Sequence, residues 1–203
     1  MRLVIFDVDG TLTQTMETDA ECFVRSLDEV CGFSHVETDW SRYRHATDSG
    51  VFQEIYESRT GRLPSSIEIS AFRQHFVGLL AQVSSRVPFA PVTGAPVLLS
   101  RLAANREHRV AFATGAWRDG ARLKMRSAGL CYDDYPAASS ELISRQGGVA
   151  FALSHDALFT CVHLLPFLLG DSGHGVVADP KPACDCALRI TVGECVYDSL
   201  PNS

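Results

Sequence analysis

Two carboxylates separated by a single residue, Asp7 and Asp9, close the apolar run Leu3-Val4-Ile5-Phe6 and are followed by Gly10-Thr11-Leu12-Thr13. Two acids this close can divide one reaction between them, one attacking an electrophile while the other gives and takes protons. A short apolar run closed by a glycine turn reads as a buried strand of a parallel sheet. The acids then lie at its carboxyl end, where open α/β sheets bind their ligands. A turn begun at Gly10 can bring the second acid back towards the first. A calcium loop of the EF-hand kind would need further oxygen ligands and a closing Glu at set offsets, which do not follow here.

The elements that must position these acids follow from the rest of the chain. Thr15 to Val30 carries Ala20, Phe23, Val24, Leu27 and Val30 at helical spacing and stops near Gly32. Gly50 to Glu57 is a second helical stretch, and Ile67 to Val83 is a third, with Ile69, Phe72, Phe76, Leu79, Leu80 and Val83 on one face. No strong strand falls between Gln14 and Val87. The Pro- and Gly-rich segment Val87 to Pro96 reads as a linker, and a helix follows from Ala95 to Asn105. His108 to Gly115 then repeats the opening pattern, a short apolar strand ending in Thr114-Gly115, before a helix from Arg118 to Ser127. This order predicts a doubly wound, Rossmann-like α/β core with a parallel sheet and a helical cap inserted after its first strand. The core takes residues 1–14 and 88–203 and the cap 15–87, with an atypical carboxyl-terminal part beyond about 146.

Composition narrows the field. A chain of 203 residues with 46% hydrophobic content can bury a core and is not a disordered segment. A net charge of -6 without any basic run speaks against a nucleic-acid partner. The stretch from Ala157 to Gly170 contains His163 and Pro166 and is too short to span a bilayer, so no membrane partner is expected. With no signal peptide visible and seven irregularly spaced cysteines, the expected location is the cytoplasm, with reduced thiols. Cys184-Asp185-Cys186 is not a usual zinc knuckle.

The segment Asp7-Val-Asp9-Gly10-Thr11-Leu12-Thr13 resembles the first motif of the haloacid dehalogenase-like hydrolases. That resemblance implies phosphoryl transfer, with Asp7 as a nucleophile that forms an aspartyl-phosphate and Asp9 as the acid and base. Possession of the second acid favours phosphatase over dehalogenase. Thr114 matches the family's second motif, in which the hydroxyl and the next backbone N–H, that of Gly115, hold a phosphate oxygen. Leu123 and Ala128-Gly129-Leu130 fall where the family's following helix would place them. The third motif is a cation; it is expected at Arg145, with Lys124 as the alternative, although an ordinary reading of a helical lysine is a solvated one. The fourth motif supplies acids for Mg²⁺. Phe167-Leu168-Leu169-Gly170-Asp171 resembles it, giving a metal set of Asp7, Asp9 and Asp171, but the usual second acid falls at Gly175 and Asp179 comes four residues late.

Within the cap, the polar run Arg42 to Gly50 contains Thr47 or Asp48 as a helix cap and Arg44 and His45 as candidate substrate contacts. The resemblance fades after Arg145, and the tail is either divergent or the product of a shifted reading frame. Three functions remain open on the sequence: a Mg²⁺-dependent phosphatase of a small phosphorylated metabolite, a weak or inactive phosphate-binding relative, and a phosphomutase. Substrate identity and oligomeric state do not follow from it.

Overall fold

A computed structural model describes residues 2–141 and the strand segments 176–177 and 187–192. Strand β1 (Arg2–Phe6) leads into helix α1 (Met16–Cys31), a 3₁₀ turn (Trp40–Arg42), helices α2 (Asp48–Thr60) and α3 (Ser66–Arg86), then α4 (Ala95–Ala104), β2 (His108–Ala113), α5 (Arg118–Ser127) and β3 (Ala137–Ala138). Two further strands, β4 (Val176–Val177) and β5 (Ala187–Val192), complete a sheet of order β3-β2-β1-β5-β4. The expected strands and helices are therefore present, with ends within a few residues.

β1 and β2 pair in parallel, Val4 opposite Val110 and Phe6 opposite Phe112, and β2 pairs in parallel with β3. Val4, Phe6, Val8, Val110 and Phe112 pack against Leu99 of α4 and Met125 of α5 in one apolar cluster. Each such side chain contributes about 1.5–3 kcal/mol when fully buried. The parallel arrangement does not extend to the other side of β1. There β5 runs antiparallel, with Ala187 opposite Phe6, and β4 pairs antiparallel with β5. Antiparallel neighbours need no crossover helix between them, whereas the β1–β2 pair has a long helical crossover.

Helices α1, α2 and α3 enclose a second cluster rich in aromatic rings: Phe23, Phe52, Tyr56, Phe72 and Phe76, joined by Trp117 from the start of α5. Phe52 and Phe72 stack with centroids 4.2 Å apart, and Phe23 meets Phe72 edge-on at 5.1 Å. Local signals set the helix ends. Ser65 and Glu68 form a reciprocal capping box on α3, Thr47 caps α2 by accepting from the Gly50 N–H, and α1 stops at Gly32 in the left-handed conformation. The chain leaves for these helices and returns from them side by side. Gln14 N–H donates to Ala90 O at 2.9 Å and Val92 N–H to Leu12 O at 2.9 Å, so the Pro-rich linker is tied to the outgoing chain. Among the described residues no helix is long and apolar enough to cross a membrane.

Candidate active site

The turn after β1 is built on one acceptor. Val8 O takes the N–H groups of Thr11, Leu12 and Thr13 at 3.3, 2.9 and 3.0 Å, with Gly10 at φ 76°. That positive φ favours glycine, and the tight loop carries Asp9 past the end of the strand. Asp7 and Asp9 thereby line one cleft of about 360 Å³ together with Thr114 and Gly115. The cleft lies between the carboxyl ends of β1 and β2 and the helices α1 and α2. This is the crevice at which open α/β sheets bind ligands.

Asp7 is solvent-accessible through the cleft, yet protein surrounds it on most sides. Burial is accordingly the largest influence on its carboxyl and, with the negative charge of Asp9, pushes it up to about 6; hydrogen bonds from Val8 N–H and the Thr114 hydroxyl and the charge of Lys124 pull the other way. Thr114 itself is buried, and its oxygen accepts from the Ala116 N–H at 3.2 Å. Asp9 is held from two directions. The Lys124 ammonium donates to both its oxygens, at 2.8 and 2.9 Å, and the Thr15 hydroxyl donates to Oδ1 at 2.5 Å. Thr13 Oγ1 lies 2.7 Å from Thr15 Oγ1. The Thr13 hydroxyl also lies 3.2 Å from Val8 O, so its one proton is shared between that carbonyl and Thr15 while Thr15 donates to Asp9.

Lys124 corrects the expectation of a solvated lysine: its side chain is fully buried on α5 and also pairs with Asp19 of α1. Burial alone would lower its pKa, but the carboxylates of Asp19, Asp9 and Asp48 outweigh it and hold the ammonium charged well above the ordinary 10.5. Asp19 and Asp48 line the same cleft, and burial raises both carboxyls against the pull of Lys124. Asp48 also ties the helices to the sheet. Its carboxylate accepts from Trp117 N–H at 2.8 Å and its own N–H donates to Gly115 O at 2.9 Å. Next to it, Ser49 and Ser140 meet hydroxyl to hydroxyl at 2.6 Å.

The structure thus brings Asp7, Asp9, Thr114, Gly115 and Lys124 together. Arg44 and His45 are not among the cleft-lining residues. Arg44 is exposed and turned to Glu54, whose carboxylate accepts its backbone N–H at 2.9 Å and lies 3.6 Å from its guanidinium. His45 packs against Gly50 so closely that a Cβ on residue 50 would collide with its own. Their segment reaches the cleft instead through Ser41 and Ala46 to Asp48. Arg145, Asp171, Gly175, Asp179 and the Cys184–Cys186 pair lie outside the described residues. Asp19 and the inward aim of Lys124 are not anticipated from the sequence. The available signal is position. Lys124 is spaced with Gly120, Ala121 and Met125 on the buried face of α5, and Asp19 shares the α1 face of Phe23, Ser26 and Leu27.

Among the described residues no group of three His, Cys, Asp or Glu side chains could hold a metal ion. Mg²⁺ asks for less, since it is commonly bound through one or two carboxylates and keeps several waters. The accessible Asp7 carboxylate beside Asp9 fits that donor chemistry.

No family model matches the sequence, and no curated protein does. The fold matches solved structures of low sequence identity. One is a hydrolase from Pseudomonas syringae at TM-score 0.53 and 17% identity, covering 68% of this chain and 60% of that one. Another is a mutant form of CbbY from Rhodobacter sphaeroides, in complex with xylulose-(1,5)bisphosphate, at TM-score 0.52 and 18% identity, covering 70% of this chain and 64% of that one. The matched region therefore spans under two thirds of either neighbour. The α/β unit with its parallel β1–β2–β3 edge shares its fold with these two proteins.

Proposed function

We propose that the chain is a haloacid dehalogenase-like phosphatase acting on a small phosphorylated metabolite, with residues 15–87 as its cap. The observation that carries this reading is the meeting of Asp7, Asp9 and Thr114 in one cleft at the carboxyl ends of two adjacent parallel strands. An Asp7 oxygen attacks phosphorus and the alcohol oxygen leaves, taking a proton from Asp9, so that an aspartyl-phosphate remains. Asp9 then accepts a proton from water as that water attacks phosphorus, releasing inorganic phosphate and restoring Asp7. The Thr114 hydroxyl and the Gly115 N–H are placed to hold phosphoryl oxygens. Lys124 and Thr15 fix the plane of Asp9, and Lys124 serves as the cation of the third motif. The Asp7 carboxylate and the Asp9 backbone carbonyl would hold Mg²⁺, which when bound supplies charge compensation for the phosphoryl group.

Phosphate release from p-nitrophenyl phosphate, with and without Mg²⁺ and beside an Asp7→Asn control, tests the proposal. Mg²⁺-dependent release lost in the control supports it; release that survives Asp7→Asn overturns the role of Asp7. The direction of β5 favours a second reading, a phosphate-binding relative with weak turnover. A parallel neighbour would end beside Asp7, where it could deliver a metal-binding acid, whereas β5 brings its first residue, Ala187, to Phe6. Phosphate binding by folded protein without turnover would select that reading.

A further inference from the structure

The cleft has two unlike sides. Its sheet side carries the reacting groups, while its helical side sets Met16, Ala20 and Phe23 of α1, Trp40 of the 3₁₀ turn and Val51 of α2 beside the carboxylates of Asp19 and Asp48. Phe23 and Trp40 meet edge-on at 5.6 Å, which holds the indole against the buried aromatic cluster. Such side chains gain free energy by covering apolar surface, of which a polyol presents little.

The charges of the cleft point the same way. Four carboxylates line it, Asp7, Asp9, Asp19 and Asp48, and among the described residues no Lys, Arg or His side chain does. The buried Lys124 ammonium is engaged by Asp9 and Asp19. Of the other cations on the helical side, Arg42 pairs with Glu37, Arg44 with Glu54, and Arg73 with Asp119 and Glu141. A divalent ion at Asp7 and Asp9 could offset the charge of one phosphoryl group. A second anionic group on the same substrate would meet Asp19 and Asp48 with no donor from these elements, and like charges in a confined site repel strongly. At about 360 Å³ the cavity is also near the lower end of ligand pockets, which run from about 300 to 1,000 Å³.

Building on the phosphatase reading, we infer that this cleft selects compact phosphate monoesters whose alcohol portion is apolar and carries no second negative charge, and that it discriminates against bisphosphates and phosphorylated carboxylic acids. Trp40 is the specificity-determining residue for the alcohol portion, and the Asp19–Asp48 pair excludes the second anion.

Equilibrium binding to the full chain in Mg²⁺, measured by calorimetry, tests this with three ligands that cannot turn over: propylphosphonate, the near-isosteric 3-phosphonopropionate, and inorganic phosphate. Propylphosphonate is expected to bind at least about tenfold tighter than 3-phosphonopropionate, the size of one poorly screened like-charge contact. Trp40→Ala should weaken propylphosphonate several-fold and leave inorganic phosphate unchanged. Equal or tighter binding of 3-phosphonopropionate overturns the inference while leaving the phosphatase reading intact. An unchanged propylphosphonate affinity in folded Trp40→Ala removes the assigned role of that residue. Failure of all three ligands to bind overturns the phosphatase reading and this inference with it.

Discussion

Lys124→Met is the substitution that most directly probes how the cleft is held together. Methionine keeps the length and most of the volume of lysine, so the change removes the charge with little loss of packing. What remains is a set of carboxylates without their counter-ion: Asp9 loses two hydrogen bonds, at 2.8 and 2.9 Å, and Asp19 loses its ion pair. Because Lys124 is fully buried, water does not substitute for it. Removing one partner of a buried pair costs about 3–5 kcal/mol, a large share of the roughly 5–15 kcal/mol that stabilises a domain. With a urea slope of about 2 kcal/mol/M, the midpoint should fall by about 1.5–2.5 M. Fluorescence of the buried Trp117 provides the signal for the unfolding curve. The deficit should also depend on pH. Burial raises the Asp19 and Asp48 carboxyls, so in the window between their unfolded and folded values the native state binds more protons than the unfolded chain. Native stability from these groups therefore falls as pH rises through that window. In Lys124→Met the downward pull of the ammonium is gone, the window widens upwards, and the deficit shrinks as pH is lowered and the acids become neutral. Lys124 itself is raised, so its own contribution is complete below 10.5 and constant across that range. A loss under about 1 kcal/mol at neutral pH, or a deficit that grows on acidification, would refute the buried-counter-ion account.

Three other perturbations test separate parts of the structure. Asp7 must be ionised to attack, and without metal its carboxyl is pushed up to about 6, so in the metal-free chain the fraction of ionised Asp7, read by carbon NMR of its carboxyl, should rise with pH through about 6; a carboxyl already fully ionised well below that pH contradicts the assignment. Thr114→Val removes a hydroxyl aimed at the nucleophile and should cost about 10²- to 10³-fold in kcat, with about 1 kcal/mol of stability lost because the Ala116 N–H forfeits its acceptor; unchanged turnover would show that this hydroxyl does not meet the phosphoryl group. Gly50→Ala drives a Cβ into that of His45 and should lower Tm by several degrees, whereas Gly78→Ala in α3 has no neighbour within 4 Å and should stabilise by up to about 1 kcal/mol; differential scanning calorimetry of the pair decides, and equal shifts would mean that the loop before α2 yields without cost.

The elements that hold the site were readable because each carries a local signal. β1 and β2 are short apolar runs ended by a polar turn, and α3 repeats its apolar residues from Ile69 to Val83 at helical spacing. The direction of β5 has no such signal, because a run such as Ala187–Val192 reads the same whether its neighbour is parallel or antiparallel. The polar run before α2 is hard to read for a related reason. Arg44 and His45 are the chemically richer residues there, but a long exposed arginine finds the nearest acid, Glu54, while the small residues Ala46 and Thr47 allow the backbone to approach the cleft.

Lys124 shows where pattern reading can be extended. A lysine on a helix is ordinarily assigned to solvent, and by residue type alone that assignment stands. By position it does not, since Gly120, Ala121, Lys124 and Met125 are the buried residues of α5, and the remaining members are small or apolar. A charge on that face must either be withdrawn along its stem or meet an opposite charge, because burying it unpaired costs several kcal/mol. Asp9, in the motif at the end of β1, is one such charge, and Asp19 on the inward face of α1 is a second. An inward lysine and an inward aspartate on elements far apart in sequence therefore imply each other. Each is costly alone, and as a pair they place α5 against α1 across the end of β1, the arrangement that closes the cleft.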